Sequence, residues 1–140
     1  MHLRKAEFDD WKKLLDWRND PVSRNNSFDQ NEIDEQTHKA WLSRSLSNKN
    51  RDIYILENKE GIAVGTIRCD TNLDNSKTLS WNINPNSRGQ GYGNLILKIF
   101  LKDNTGDFVA EIKNENIASI KMAKKNGFTK ESPQLYKLKK

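Results

Sequence analysis

Gly89, Gly91 and Gly93 stand at alternate positions in the run Asn86-Ser87-Arg88-Gly89-Gln90-Gly91-Tyr92-Gly93. Glycine accepts the left-handed backbone and carries no Cβ, so several neighbouring N–H groups can turn toward one anion. The apolar residues of Asn94-Leu95-Ile96-Leu97-Lys98-Ile99-Phe100-Leu101 then read as a helix, whose N-terminus offers free amides and the positive end of a dipole. A phosphate group suits that junction. Spacing excludes two other phosphate loops: no Gly-Lys-Ser/Thr follows, and a G-x-G-x-x-G dinucleotide loop would need glycine where Asn94 stands. A flexible turn opening an ordinary helix would use the same glycines, so the choice depends on what the rest of the chain places around them.

The elements that must position this loop follow from periodicity. Leu3-Arg4-Lys5-Ala6 reads as a strand, and Asp9 or Asp10 as the cap of a helix carrying Trp11, Leu14, Leu15 and Arg18, which ends before Pro21. A polar loop over Val22 to Asn31 and a second helix over Glu32 to Ser47 follow, with His38 three residues before Trp41 on the same face. Residues 52–57 and 62–70 alternate like a hairpin, which puts Arg68 and Asp70 on one face, opposite Ile67 and Cys69. Thr78 to Asn84 is the strand entering the glycine loop. Beyond the glycine helix, Phe108 to Ile112 is a strand, Ile117 to Lys125 a helix closed by Asn126-Gly127, and residues 128–130 and 135–138 are two closing strands. The order is βααβββαβαββ, a mixed α/β domain.

The 140 residues are enough for one domain, 1–140, with a core that needs neither disulfides nor metal. Hydrophobic residues make up only 34%, so the surface is very polar, and the net charge of +5 favours anionic partners. A basic surface also attracts nucleic acid, but no recognition helix or aromatic nucleic-acid motif accompanies the charge. The single Cys69 precludes an internal disulfide and fits a reducing compartment; with no signal or membrane-span pattern, a cytoplasmic location is expected. No metal-ligating cluster is expected.

The loop's Arg-x-x-Gly-x-Gly pattern, Arg88 to Gly93, resembles the pyrophosphate-binding motif of the GNAT superfamily of acyl-CoA-dependent N-acetyltransferases. A second segment, Asn116-Ile117-Ala118-Ser119 through Asn126-Gly127-Phe128, is similar to that family's Asn-x-x-Ser helix closing with Gly-Phe. Both fall in their places in the family's element order, so the resemblance covers nearly the whole chain. It implies the GNAT fold, a mixed and mostly antiparallel sheet with about four helices, in which a bulge on the fourth strand splays it from the fifth. It implies acetyl-CoA as cofactor, with pantetheine along the backbone near Ile83, pyrophosphate on the amides of Arg88, Gly89, Gln90, Gly91, Tyr92, Gly93 and Asn94, and Asn116 and Ser119 beside the pantetheine arm. As plain helix residues, Asn116 and Ser119 would instead serve as caps.

The chemistry implied is attack of a neutral primary amine on a thioester. Many family members carry Tyr in the second motif as the thiolate's acid, where this chain has Ala123, and Glu near the start of the fourth strand as base, where it has Thr78-Leu79-Ser80. Candidates for the proton transfers are Asp70, Ser80, His38 and Glu57, with Tyr136 as a spare acid. Cys69 has no activating base nearby and reads as a small core residue. Trp17-Arg18-Asn19-Asp20-Pro21, His38-Lys39-Ala40-Trp41 and Gly65 to Asp70 resemble GNAT members that acetylate nucleotide-linked amino sugars, as in the pseudaminic-acid pathway. That resemblance implies an acceptor site of Arg18, Asn19, His38, Arg68, Asp70 and Trp81, with the arginines forking onto phosphate or carboxylate. Trp17 and Trp41 are either stacking platforms or core. Protein N-termini, as for ribosomal-protein acetyltransferases, and a noncatalytic acyl-CoA-binding module are the alternatives. The expected partner is a small-molecule amine, with neither nucleic acid nor membrane, and a homodimer remains open.

Overall fold

The computed structural model describes all residues 1–140. Its strands are β1 (His2–Lys5), β2 (Arg51–Glu57), β3 (Ala63–Thr71), β4 (Lys77–Ile83), β5 (Asp107–Glu111), β6 (Thr129–Ser132) and β7 (Leu135–Lys139). Its helices are α1 (Trp11–Asn19), α2 (Pro21–Asn25), α3 (Glu35–Leu46), α4 (Tyr92–Lys102) and α5 (Ile117–Lys125), with 3₁₀ turns at Phe8–Asp10 and Pro85–Ser87. The strands form one sheet in the order β1-β2-β3-β4-β5-β7-β6. All neighbours are antiparallel except β4 and β5.

Strand alternation divides the apolar residues between two faces. Ile53 and Ile55 of β2 join Ala6, Leu14, Trp17 and Leu42 in a smaller core beneath α1 and α3. On the other face Ile67, Cys69 and Leu79 meet Ile96, Leu97, Phe100 and Leu101 of α4, whose spacing makes one apolar stripe. Trp17 is therefore core, 5% exposed. No helix is long and apolar enough to cross a membrane.

Two local expectations change. The segment after Pro21 is not all loop, because the side chain of Asp20 accepts from the amides of Val22 and Ser23 and proline occupies the first helical turn, so Pro21 ends α1 and starts α2. The second long helix begins at Glu35, because Asp34 caps it through the Thr37 amide.

The feature that makes a site is the parting of β4 from β5. They pair only at Lys77↔Phe108 and Thr78↔Val109. Beyond that β4 stays on β3 as far as Ile83↔Gly65, while β5 stays on β7 as far as Glu111↔Leu135. The β3–β4 register runs without a shift, so the strands splay with no bulge in that ladder, contrary to the expectation.

Candidate active site

The splay opens into a cleft of about 1080 Å³ that runs from the glycine loop, across β4, to the sheet face under α1 and α3. At one end lies the loop. Gly89 and Gly91 have φ of +77° and +82°, and a Cβ at either would meet no protein atom within 4 Å. None of the main-chain N–H groups from Gly89 through Asn94 donates to a protein acceptor; the helical ladder starts with Leu95 N–H on the Gly91 carbonyl at 3.1 Å. Open amides at the start of a well-formed helix can bind an anion. Lys121 and Lys125 of α5 line the same end.

Several expected cofactor residues occupy this half of the cleft, in roles of their own. Ile83, Tyr92, Gly93 and Asn94 line it, whereas Gln90 does not. The Asn94 side chain accepts from Asn126 Nδ2 at 2.8 Å, which braces α4 against α5 and leaves its amide free. The Arg88 side chain is turned away from the amides: Nη2 donates to Asp20 at 2.5 Å and to Ser23 Oγ at 3.1 Å. Burial pushes the Asp20 carboxyl up, but the bonds from Arg88 and the α2 amides outweigh it, and its pKa lies below the ordinary value. Asn116 caps α5 by accepting from the Ser119 amide, and Ser119 Oγ accepts from Trp81 Nε1 at 3.0 Å. Trp81 thus sits on the α4–α5 side of β4, packed on the larger core, and not on the acceptor face where it was expected.

The cleft is cationic along its length: Arg88, Lys121 and Lys125 stand by the glycine loop and Arg18, Arg44 and Arg68 toward the opposite end, against only Asp29 and Glu111 in the whole lining. Arg18 donates Nη2 to the Asp29 carbonyl at 2.7 Å, while its Nη1 is buried without a partner. Arg68 lies against the Trp41 ring, 5.8 Å from its centroid, with Nε 3.2 Å from Asp70 but too poorly aligned to hydrogen bond. Burial lowers its pKa, opposed by Asp70 and reinforced by Arg51. His38 is 4% exposed, stacked on Trp41 at 5.7 Å, and its Nε2 has no partner. Burial pulls its pKa below 6.5, while a hydrogen bond with the Trp11 backbone pulls the other way. The imidazole is therefore neutral at pH 7, with Nε2 buried and unpartnered. Trp41, also expected as core or platform, lines the cleft with these groups.

Of the remaining expected residues, only Ser80 lines the cleft. Asp70 is held by Arg51 Nε at 2.7 Å and lies outside the cleft wall. Asn19 spends both ends of its amide on Ile33, donating to its carbonyl at 2.8 Å and accepting from its N–H at 2.9 Å, so it pins the loop over the cleft. Tyr136 is 2% exposed in the larger core, because β7 is an interior strand between β5 and β6. Glu57 accepts from Arg4 at the far edge of the sheet. Cys69 is buried and its thiol is pushed up to about 11, which keeps it protonated at neutral pH. Ser80 does line the cleft, beside residues the sequence did not single out: Asn82, Ser23 and Arg44. Alternation along β4 puts Asn82 on the face of Ser80, which is the one signal that pointed to it.

Residues 1–129 match the sequence profile of the acetyltransferase (GNAT) domain. Comparison with curated protein sequences returns no match. Among solved structures, the fold is similar to spermidine N-acetyltransferase from Vibrio cholerae in complex with CoA and spermine, with TM-score 0.86 at 14% identity over 97% of this chain and 92% of that one. It is also similar to an aminoglycoside acetyltransferase in complex with coenzyme A, with TM-score 0.83 at 14% identity over 99% and 94%. A GNAT-family acetyltransferase from Bacillus anthracis gives 0.80 at 20% identity over 97% and 92%. With the profile covering residues 1–129 of 140, the chain belongs to the GNAT family of acetyltransferases.

Proposed function

We propose that this acetyltransferase moves the acetyl group of acetyl-CoA to the primary amine of a small anionic acceptor, such as a nucleotide-linked amino sugar. The carrying observation is that one cleft joins the open amides of Gly89 through Asn94 to a wall lined by Arg18, Arg44 and Arg68. The pyrophosphate lies on those amides and the pantetheine arm along the edge of β4 that β5 leaves unpaired near Ile83. The acceptor enters beneath α1 and α3, its phosphate or carboxylate on Arg18 and Arg68. Spermine, seen with the Vibrio cholerae enzyme, is a polycation and would be repelled by the same wall.

In the transfer, the amine lone pair attacks the thioester carbonyl, a C–N bond forms, and the tetrahedral oxyanion collapses with loss of the C–S pair as thiolate. Main-chain amides of β4 facing the splay supply oxyanion donors. Of the side chains that line the cleft, the neutral His38 imidazole can accept the proton the amine loses, and the Ser80 hydroxyl, itself no base, can relay it. Ala123, fully buried at the position of the usual acid, donates nothing. A thiol near pKa ~8.5 can leave as its anion without one, so positioning carries most of the rate.

Ala123 also favours a second reading, an acyl-CoA-binding module without turnover. Release of free thiol from acetyl-CoA at low salt, across amino-sugar nucleotides, peptide N-termini and polyamines, separates them. Turnover confined to the amino-sugar nucleotides supports the proposal. Peptide turnover moves the reading to protein N-termini, polyamine turnover defeats the anionic acceptor, and CoA binding with no thiol release from any amine establishes the module.

A further inference from the structure

Four side chains beside the reacting zone form one hydrogen-bonded chain across the cleft. Arg88, the residue before the open amides, donates Nη2 both to Asp20 at 2.5 Å and to Ser23 Oγ at 3.1 Å. Ser23 Oγ donates to Asn82 Oδ1 at 3.0 Å, and Asn82 Nδ2 donates to the Trp17 carbonyl at 3.1 Å. The links join the glycine loop, α2, β4 and the end of α1, and Ser23, at their centre, is 7% exposed.

A helix of five residues has no stability of its own. The place of α2 is set by its Asp20 cap, by Arg88 and Asn82, and at its far end by Lys113 Nζ on the Asn25 carbonyl at 3.0 Å. It carries Val22 and Ser23 to the cleft and leads into Asn26, Ser27 and Phe28, which line the acceptor end. Arg88 is therefore the contact between the cofactor loop and the acceptor wall.

We propose that Ser23 is a positioning residue that couples the two halves: occupancy of the glycine loop is passed through Arg88 and Ser23 to α2, which then completes the acceptor wall. This rests on the reading that the loop holds the pyrophosphate. An anion on the amides of Gly89 through Asn94 ties down a loop whose own hydrogen bonds are open. With the loop ordered, the Arg88 guanidinium is held against Ser23 and Asp20, and the ordering entropy of α2 falls. Linkage makes the effect reciprocal, so an ordered acceptor wall raises affinity for CoA by the same factor.

Hydrogen–deuterium exchange with and without CoA, at occupancies fixed by calorimetry, tests it. In the wild type, CoA is expected to slow exchange over residues 21–27 by about tenfold, within the usual range of coupling. In Ser23→Ala, CoA still binds and the loop amides are still protected, but the gain over residues 21–27 is lost. Asp20→Asn, which keeps a capping oxygen for Val22 and Ser23 and removes the charge facing Arg88, loses part of it. Because each gain is a difference within one variant, a merely weakened fold does not mimic it. CoA binding with no change in α2 of the wild type, or a full gain in Ser23→Ala, overturns the coupling alone. Absence of any CoA binding overturns the cofactor reading together with it.

Discussion

Replacing Gly91 by alanine separates the backbone geometry of the loop from its binding role. Gly91 has φ +82° and the space a Cβ would take is free of protein atoms to 4 Å, so the new methyl group enters the region in front of the open amides. Holding alanine in the left-handed region costs roughly 1–2 kcal/mol, which lowers Tm of a domain of this size by about 3–8 °C. Two charge-assisted amide–phosphate bonds lost at about 1.5–3 kcal/mol each weaken CoA binding by roughly two to four orders of magnitude. Gly61→Ala is the matched control: its φ is +78°, its Cβ space is equally empty, and it does not line the cleft. Thermal melts and calorimetric titration of CoA on both variants are expected to show similar falls in Tm but loss of CoA affinity in Gly91→Ala alone. Wild-type CoA affinity in Gly91→Ala, or an equal loss of affinity in Gly61→Ala, would refute a binding role for the loop.

Arg68→Met keeps a side chain of similar length beside Trp41 and removes the guanidinium; acceptor KM is expected to rise about 10- to 100-fold, as for a lost hydrogen bond to a charged group, with CoA affinity unchanged, and an equal loss of both would place Arg68 in the fold and not in the acceptor site. His38 has a folded pKa below its unfolded value of 6.5, so the unfolded chain binds its proton first as pH falls. Its share of stability is complete above that value and is lost on descending through the window beneath it; melts of His38→Gln should lack this component between pH 7 and the carboxylate range, and identical pH curves would contradict it. Asp10 is buried at 4% exposure between Arg4 and Lys13, and these bonds, with the Glu7 amide, outweigh burial and hold its carboxyl well below the usual range. Asp10→Asn leaves Arg4 short of a partner and should cost about 2–4 kcal/mol, read as a shift in denaturation midpoint, while CoA binding persists because the residue lies outside the cleft.

The glycine loop and the helix behind it were legible because their signals are local: alternate glycines fix the turn, and the apolar stripe of α4 fixes the helix. Alternation alone likewise placed Arg68 and Asp70 on one face. Long-range partners left no such trace. Asp70 looked like a free carboxylate near the acceptor, but the guanidinium that occupies it, Arg51, comes from the neighbouring strand 19 residues away. Tyr136 looked like an accessible acid in a closing strand, yet the chain order hides that β7 inserts between β5 and β6 and so buries it. Trp81 was misplaced because one strand position decides the side of the sheet, and its Nε1 found Ser119 on the cofactor side. The α2 helix was missed because Pro21 reads as a stop, when the Asp20 carboxylate makes the same proline a start. Arg88 was read correctly as part of the loop, but its side-chain partner, Asp20, is 68 residues earlier.

The most direct test of the cleft as an acyl-CoA site is an amide NMR titration of the labelled protein with acetyl-CoA. Resonances of Gly89, Gly91 and Gly93, and those of Trp81 and Ile83 on the open edge of β4, are expected to shift together and saturably, while Gly61 and Gly106 stay in place. Saturable shifts elsewhere, for instance in the polar pocket between Lys5, Ser45 and Arg51, with the glycine loop unmoved, would contradict it.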